Sequence, residues 1–165
     1  MKAEAESRIV QNDFDSKFDI DDLRNSPGGI APWQGVRSYE ARNNIKEMKV
    51  GDKILFYHSN CRKQPPGIVG LATVAREHYV ETEAFDPKHG YYDPKSTSKD
   101  DAKWFSVDIQ FNEKFAETLA LTELKACKEL QDMQLIRRQR LSVSKVTKAE
   151  YNFVVALARK QPKKK

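Results

Sequence analysis

Eleven consecutive residues, Trp33-Gln34-Gly35-Val36-Arg37-Ser38-Tyr39-Glu40-Ala41-Arg42-Asn43, set two aromatic rings, two guanidinium groups and an asparagine amide beside a glycine turn. These are groups that recognise a flat polar ring. Aromatic faces stack on a base for about 1 to 3 kcal/mol, an asparagine amide offers a paired donor and acceptor, and arginine offers a planar fork. The same run also reads as ordinary core, with a tryptophan ahead of a helix that turns Tyr39 and Ala41 inward. Residue types alone leave both readings open.

Two other groupings suggest different chemistry. His58 and Ser59, with Asp93 and Asp108 elsewhere, are the residue types of a hydrolytic enzyme acting on nucleic acid. Adjacent residues of a strand point to opposite faces, so His58 and Ser59 do not make a nucleophile and base pair. The chain has no HxE and CxxC set for a zinc deaminase and no glycine-rich phosphate loop. Cys61 and Cys127 are far apart and lack a CxxC partner, which indicates neither a disulfide framework nor a zinc site. We therefore expect no catalytic residue, no metal and no cofactor. A third class, a protein-interaction scaffold, rests on Tyr91 and Tyr92 as an exposed aromatic pair, although Tyr-Asp-Pro also suits a self-packed turn.

Charge narrows the partner. The 165 residues carry a net charge of +5, but four of the 29 basic side chains are Lys160, Lys163, Lys164 and Lys165; without them 25 basic face 24 acidic residues. A near-neutral body argues against a tight duplex clamp and permits a small pocket that takes one nucleotide. The lysines at 163–165 then form a basic flexible tail that adds weak, salt-sensitive backbone contact or part of a nuclear address, or simply a solvated end. With 39% hydrophobic and 32% charged residues the composition is that of one soluble globular domain, residues 1–160, with a tail at 161–165. There is no apolar run of membrane-spanning length, and the polar start Met1-Lys2-Ala3-Glu4 is unlike a secretory leader, so the chain reads as intracellular.

Patterning then supplies the elements that must hold these side chains. Asp19 caps a short helix through Leu23, stopped by Ser26-Pro27-Gly28-Gly29. A second helix starts near Val36 or Arg37 and runs to about Met48, with Ala41, Ile45 and Met48 on one face and Arg42 and Asn43 at its edge, where they can point into a cleft. Residues 53–59 read as a strand apolar on both faces, hence central or in a barrel, paired through a turn at 60–67 with a strand at 68–75. Gly67 and Gly70 suit a β-bulge or the close approach of another backbone or ligand. A long polar loop at 81–103 is a candidate cover for a site. Next comes a strand with Phe105, Val107, Ile109 and Phe111 on its buried face and Trp104, Ser106, Asp108 and Gln110 opposite, facing solvent or a pocket. A helix capped by Thr122 follows, and the last helix opens with a Thr147/Glu150 capping box and buries Tyr151, Val154, Val155 and Ala158. Strands grouped mid-chain with helices at both ends make an α+β order.

Taken together, Trp33-x-Gly35-Val36-Arg37-x-Tyr39-x-Ala41-Arg42-Asn43, Phe56-Tyr57-His58-Ser59-Asn60, Pro66-Gly67-Ile68-x-Gly70, Tyr92-Asp93-Pro94, Trp104-x-Ser106-Val107-Asp108 and Arg137-x-Gln139-Arg140-Leu141-Ser142-Val143 resemble the EVE domain of the thymocyte nuclear protein family, in order and over nearly the whole chain. The resemblance implies a PUA-like curved β-barrel with flanking helices. It also implies a non-enzymatic reader that takes one modified, methylated or oxidised base of DNA or RNA into an aromatic and polar pocket. Carried onto this sequence, the pocket comprises Lys2, Trp33, Val36, Arg37, Tyr39, Arg42, Asn43, Tyr57, His58, Ser59, Asn60, Arg140 and Ser142. Trp33 and Tyr57 would form walls, Asn43, Ser59 and Asn60 would read polar edges, and Arg37, Arg42 and Arg140 would meet phosphate or the ring. The family name suggests a nuclear protein, whereas bacterial relatives are cytoplasmic. The family usually opens W-L-M-K-S-E-P; here Met1-Lys2-Ala3-Glu4-Ala5 stands in its place, so a truncated or displaced first strand is expected.

Overall fold

A computed structural model of the chain describes residues 1–160; the lysines at 163–165 lie outside the described residues. Five strands form one sheet in the order β1-β3-β4-β5-β2: β1 Lys2–Glu4, β2 Ile30–Trp33, β3 Lys53–Ser59, β4 Gly67–Val80 and β5 Phe105–Ala120. β1 runs parallel to β3 and the other neighbours are antiparallel. β1 and β2 are the two edges, so the sheet is not closed into the expected barrel. The opening segment is in the sheet despite its altered sequence, with Lys2, Ala3 and Glu4 opposite Tyr57, His58 and Ser59.

The central position expected for β3 follows from its two apolar faces. Ile54 and Phe56 join a core formed with Ile20, Leu23, Trp33, Ala41, Ile45, Val107 and Ile109, while Leu55 and Tyr57 join a second core with Ile68, Leu71, Phe115, Leu119, Leu124, Leu130 and Val154. The first core lies under helices α1 (Ile20–Asn25) and α2 (Tyr39–Glu47), the second under α3 (Leu121–Ala126), α4 (Gln134–Arg137) and α5 (Lys148–Lys160).

Local chemistry sets the helix ends. Asp19 accepts from the amides of Asp21 and Asp22, and Asp22 accepts from the Asp19 amide at 2.9 Å. Thr147 and Glu150 exchange the two bonds of the expected capping box, at 3.2 and 2.8 Å. α2 starts later than its apolar spacing suggests because Ser38 is its cap, accepting from the Ala41 amide, which leaves Val36 and Arg37 in the preceding turn. Thr122 does not cap α3: the helix starts one residue earlier, and the Glu123 carboxylate reaches back to the Ala120 amide at 2.8 Å.

β4 and β5 extend well beyond the expected 68–75 and 105–111. Register shifts between Ile68 and Gly70, and again between Leu71 and Ala72, absorb the break in alternation. At Gly67 and Gly70 a Cβ would stand 2.2 Å from the carbonyl oxygens of Leu119 and Glu113, so both glycines admit the β5 backbone. The face opposite Val107 is drier than expected, since Trp104 and Ser106 are buried. Residues 81–103 form the expected connection without strand, with one 3-10 turn at Thr82–Phe85.

Candidate functional site

The turn between β2 and α2 is held by a buried acid that sequence reading does not single out. Glu81, the residue after β4, is fully shielded from solvent. One carboxylate oxygen accepts from the Gly35 amide at 3.0 Å and the other from Arg37 Nη2 at 2.7 Å. Arg37 also donates to the carbonyls of Val36 and Tyr91. Gly35 sits at φ +76°, and a Cβ there would be 2.4 Å from the Tyr91 ring. Only glycine fits both the backbone and the space. Arg37 is thus spent on architecture.

Beside this turn lies a cleft of about 860 Å³, within the roughly 300 to 1,000 Å³ usual for small-ligand sites. Its walls come from β1 (Lys2, Ala3, Glu4), residues 14–18 with Phe14 and Phe18, the turn at 31–39, Tyr91, Trp104 and Ser142. Of the expected pocket residues it gathers Lys2, Trp33, Val36, Arg37, Tyr39 and Ser142. Trp33 is both core and cleft wall: it is 6% exposed, with edge-on contacts to Phe18 and Phe56 at 6.2 and 5.6 Å. Tyr39 lies stacked on Trp104 at 5.3 Å. The Trp104 indole N–H donates to Asp93 at 2.7 Å. Burial pushes the Asp93 carboxyl up, but the Trp104 indole, the Lys95 amide and the Ser96 hydroxyl outweigh it and hold the group below its ordinary value. Lys2 donates to the Gln139 carbonyl, and burial lowers its ammonium pKa.

The remaining expected residues are elsewhere. Asn43 and Arg42 do not line the cleft; the Asn43 carbonyl oxygen accepts from Arg42 Nε and Nη2 at 3.0 and 2.7 Å. Tyr57 is 5% exposed in the second core. The Ser59 hydroxyl donates to the Ala3 carbonyl at 2.9 Å, tying β3 to β1. His58 and Asn60 border a separate, wider cleft of about 1810 Å³, where His58 Nε2 accepts from the Ile20 amide and Asn60 donates to Glu4. Burial lowers the His58 pKa, in keeping with its acceptor role. Arg140 is exposed and outside both clefts, one residue from the Gln139 carbonyl that Lys2 meets.

The loop at 81–103 does border the cleft, as a cover was expected to. It is pinned by Asn12, whose amide donates to the Pro87 and His89 carbonyls, by Gln11 to the Tyr92 carbonyl, and by Phe14 against Tyr91 at 5.1 Å. Tyr91 and Tyr92 are consequently not an exposed pair: both are half-buried. Sequence reading also missed Gln34 and Phe18 as lining residues; their only signal was proximity to Trp33 and an apolar residue before the Asp19 cap. Among the described residues no group of three or more His, Cys, Asp or Glu side chains is placed to hold a metal ion.

The EVE domain family matches residues 9–157. Thymocyte nuclear protein 1 of Danio rerio is 44% identical over 98% of this chain and 72% of its own length. A crystal structure of human THYN1 protein in complex with 5-methylcytosine containing DNA is similar with a TM-score of 0.91 at 40% identity, covering 98% of this chain and 97% of the other. A hypothetical protein from Leishmania major is similar with a TM-score of 0.84 at 42% identity, over 96% and 92% of the two chains. With matched residues spanning the turn at 33–39, the loop at 81–103 and Ser142, the chain belongs to the EVE domain family, in its thymocyte nuclear protein branch.

Proposed function

We propose that this chain is a non-enzymatic reader of DNA carrying 5-methylcytosine, and that the modified base enters the cleft between Lys2, Trp33, Tyr91 and Ser142. The observation that carries the reading is the likeness to human THYN1 protein, crystallised with 5-methylcytosine containing DNA, over nearly the full length of both chains. The cleft chemistry supports it. Trp33, Val36 and Phe18 offer apolar surface for a 5-methyl group, while the Gln34 amide, the Ser142 hydroxyl and Lys2 offer polar groups for the ring edge. Asn60 and Ser59, engaged with Glu4 and Ala3, take no part.

A methyl group in a fitted apolar pocket is worth about 1 to 3 kcal/mol, so methylated DNA should bind roughly tenfold or more tightly than unmodified DNA. Extruding a base costs a few kcal/mol in a duplex and less in a mismatch or single strand, so accessible bases should bind best. In this reading the open five-strand sheet is of the PUA-like class, with residues 1–160 as one binding unit. Lys163, Lys164 and Lys165 add salt-sensitive contact and, with the relatives' name, favour a nuclear site of action. The engagement of His58 and Ser59 with backbone groups supports a binding rather than hydrolytic role. Titrating methylated and unmodified oligonucleotides, DNA and RNA, against wild type and Ser142→Ala tests the reading: methyl preference weakened by the substitution is expected. Equal weak binding everywhere, or a strand cleaved on incubation, overturns it.

A further inference from the structure

The two flanks of the cleft differ in how their charges are balanced. On one, Arg8 pairs with Glu4, Lys17 with Asp19 and Asp22, and Arg37 with Glu81. On the other, Lys95 and Lys103 line the cleft and Arg42 stands behind Tyr39, and among the described residues none of the three forms an ion pair with a carboxylate. They are nevertheless drawn together. Arg42 Nη1 donates to the Lys103 carbonyl at 3.3 Å, and the Lys103 ammonium donates to the Lys95 carbonyl.

Arg42 is also fixed in direction. Its guanidinium carbon lies 4.7 Å above the Tyr39 ring, Tyr39 stacks on Trp104, and the Arg37 guanidinium lies 5.2 Å from the Trp104 ring. This chain of contacts, with the Asn43 carbonyl oxygen fastening two of the Arg42 nitrogens, restricts the rotamer freedom a surface arginine normally keeps. Tyr39 is 57% exposed, and its contacts with Arg42 and Trp104 make it a support for Arg42.

Asp93 on the same flank offsets part of this charge through space to Lys103, but its oxygens are already taken by Trp104, Ser96 and the Lys95 amide, so the flank keeps an excess of positive charge that phosphate, the anion a base entering this cleft brings with it, can meet. Resting on the function proposed above, we infer that Arg42, Lys95 and Lys103 form the phosphate track for the strand that delivers the base, and that Asn43 and Tyr39 are positioning residues for Arg42. Asn43 then strengthens binding to every sequence equally and reads no base edge.

The test is the salt dependence of binding of the full chain to methylated and unmodified oligonucleotides. Each phosphate contact contributes about 0.9 to the slope of log affinity against log salt for duplex and about 0.7 for single strands. The triple variant Arg42→Gln, Lys95→Gln, Lys103→Gln should lower that slope by roughly 2 to 3 and leave the methylated-to-unmodified affinity ratio unchanged. Asn43→Ala should weaken both DNAs by the same factor, several-fold. The control triple Lys125→Gln, Lys128→Gln, Lys148→Gln, on α3, the 3-10 turn Lys128–Leu130 after it and α5, should leave slope and ratio at wild-type values. An unchanged slope in a folded Arg42, Lys95, Lys103 variant overturns the track, even where methyl preference persists. Loss of the methyl preference on Asn43→Ala with the slope intact makes Asn43 a base reader and overturns its positioning role. Absence of methyl preference in wild type with a slope that still falls in the variant overturns the base reader and leaves the track.

Discussion

Arg37 and Glu81 form an ion pair at 2.7 Å in which the acid is wholly shielded and the base remains about a third exposed: side-chain exposures are 0% and 29%. The two partners are therefore unequal. Truncating one member of a buried pair costs about 3 to 5 kcal/mol when the other is left charged and dry. Arg37→Gln strands Glu81 in that state and should lose stability in that range. Glu81→Gln leaves an arginine that reaches water, and should cost less. Urea denaturation of both variants checks this; equal losses below about 1 kcal/mol would mean that Glu81 is hydrated in solution.

Gly35 gives a second test of the same turn. Gly35→Ala puts a side chain at φ +76° and drives it into the Tyr91 ring. Left-handed strain alone costs about 1 to 3 kcal/mol, and displacement of Tyr91 adds to it. Because Tyr91 borders the cleft, DNA affinity should fall along with the melting temperature. Adding Tyr91→Ala removes the clash, so the double variant should be less destabilised than the sum of the single ones. Strict additivity in thermal melts would refute the contact.

His58 predicts a pH dependence. Its Nε2 accepts from the Ile20 amide at 3.0 Å, which requires a neutral ring, and burial lowers its pKa despite the opposing influence of Asp19 and Asp21. The unfolded chain takes up this proton near the ordinary histidine value of about 6.5, the folded chain only at lower pH. Between those points the unfolded state binds more protons, so the stabilisation is complete above about pH 6.5 and is lost as pH falls below it. His58→Gln, which keeps an acceptor without a titrating ring, should flatten unfolding free energy between about pH 7 and 5.5 relative to wild type. Parallel curves for the two proteins would contradict the assignment.

Local patterns were the legible part of the fold. The Asp19 and Thr147 capping boxes, the doubly apolar β3 and the buried Val107 and Ile109 are each written within a few residues. The far half of β5 was not, because Asn112, Glu113 and Lys114 break the alternation and the strand continues only through register shifts against β4. For the site, Lys2, Trp33, Val36, Arg37, Tyr39 and Ser142 share a cleft. Tyr57, His58 and Asn60 do not: Tyr57 packs in the second core, while His58 and Asn60 border the other cleft. Glu81 was silent because a lone acid opening a polar loop has no pattern; only the folded chain brings Gly35 and Arg37 to it, 46 and 44 residues away in sequence. Asn43 is expected by type to read a base edge, and the structure places its carbonyl oxygen on Arg42, its neighbour in sequence.

The cleft walls are contributed by residues near 2–4, 14–18, 31–39, 91–104 and 142, and strands from both ends of the sheet order supply two of them. No fragment of the chain carries the cleft by itself, so occupancy and global folding are one coupled equilibrium. A ligand at a hundred times its dissociation constant raises unfolding free energy by about 2.7 kcal/mol when only the native state binds it. Resistance to unfolding is thus a direct gauge of which nucleotide the protein prefers.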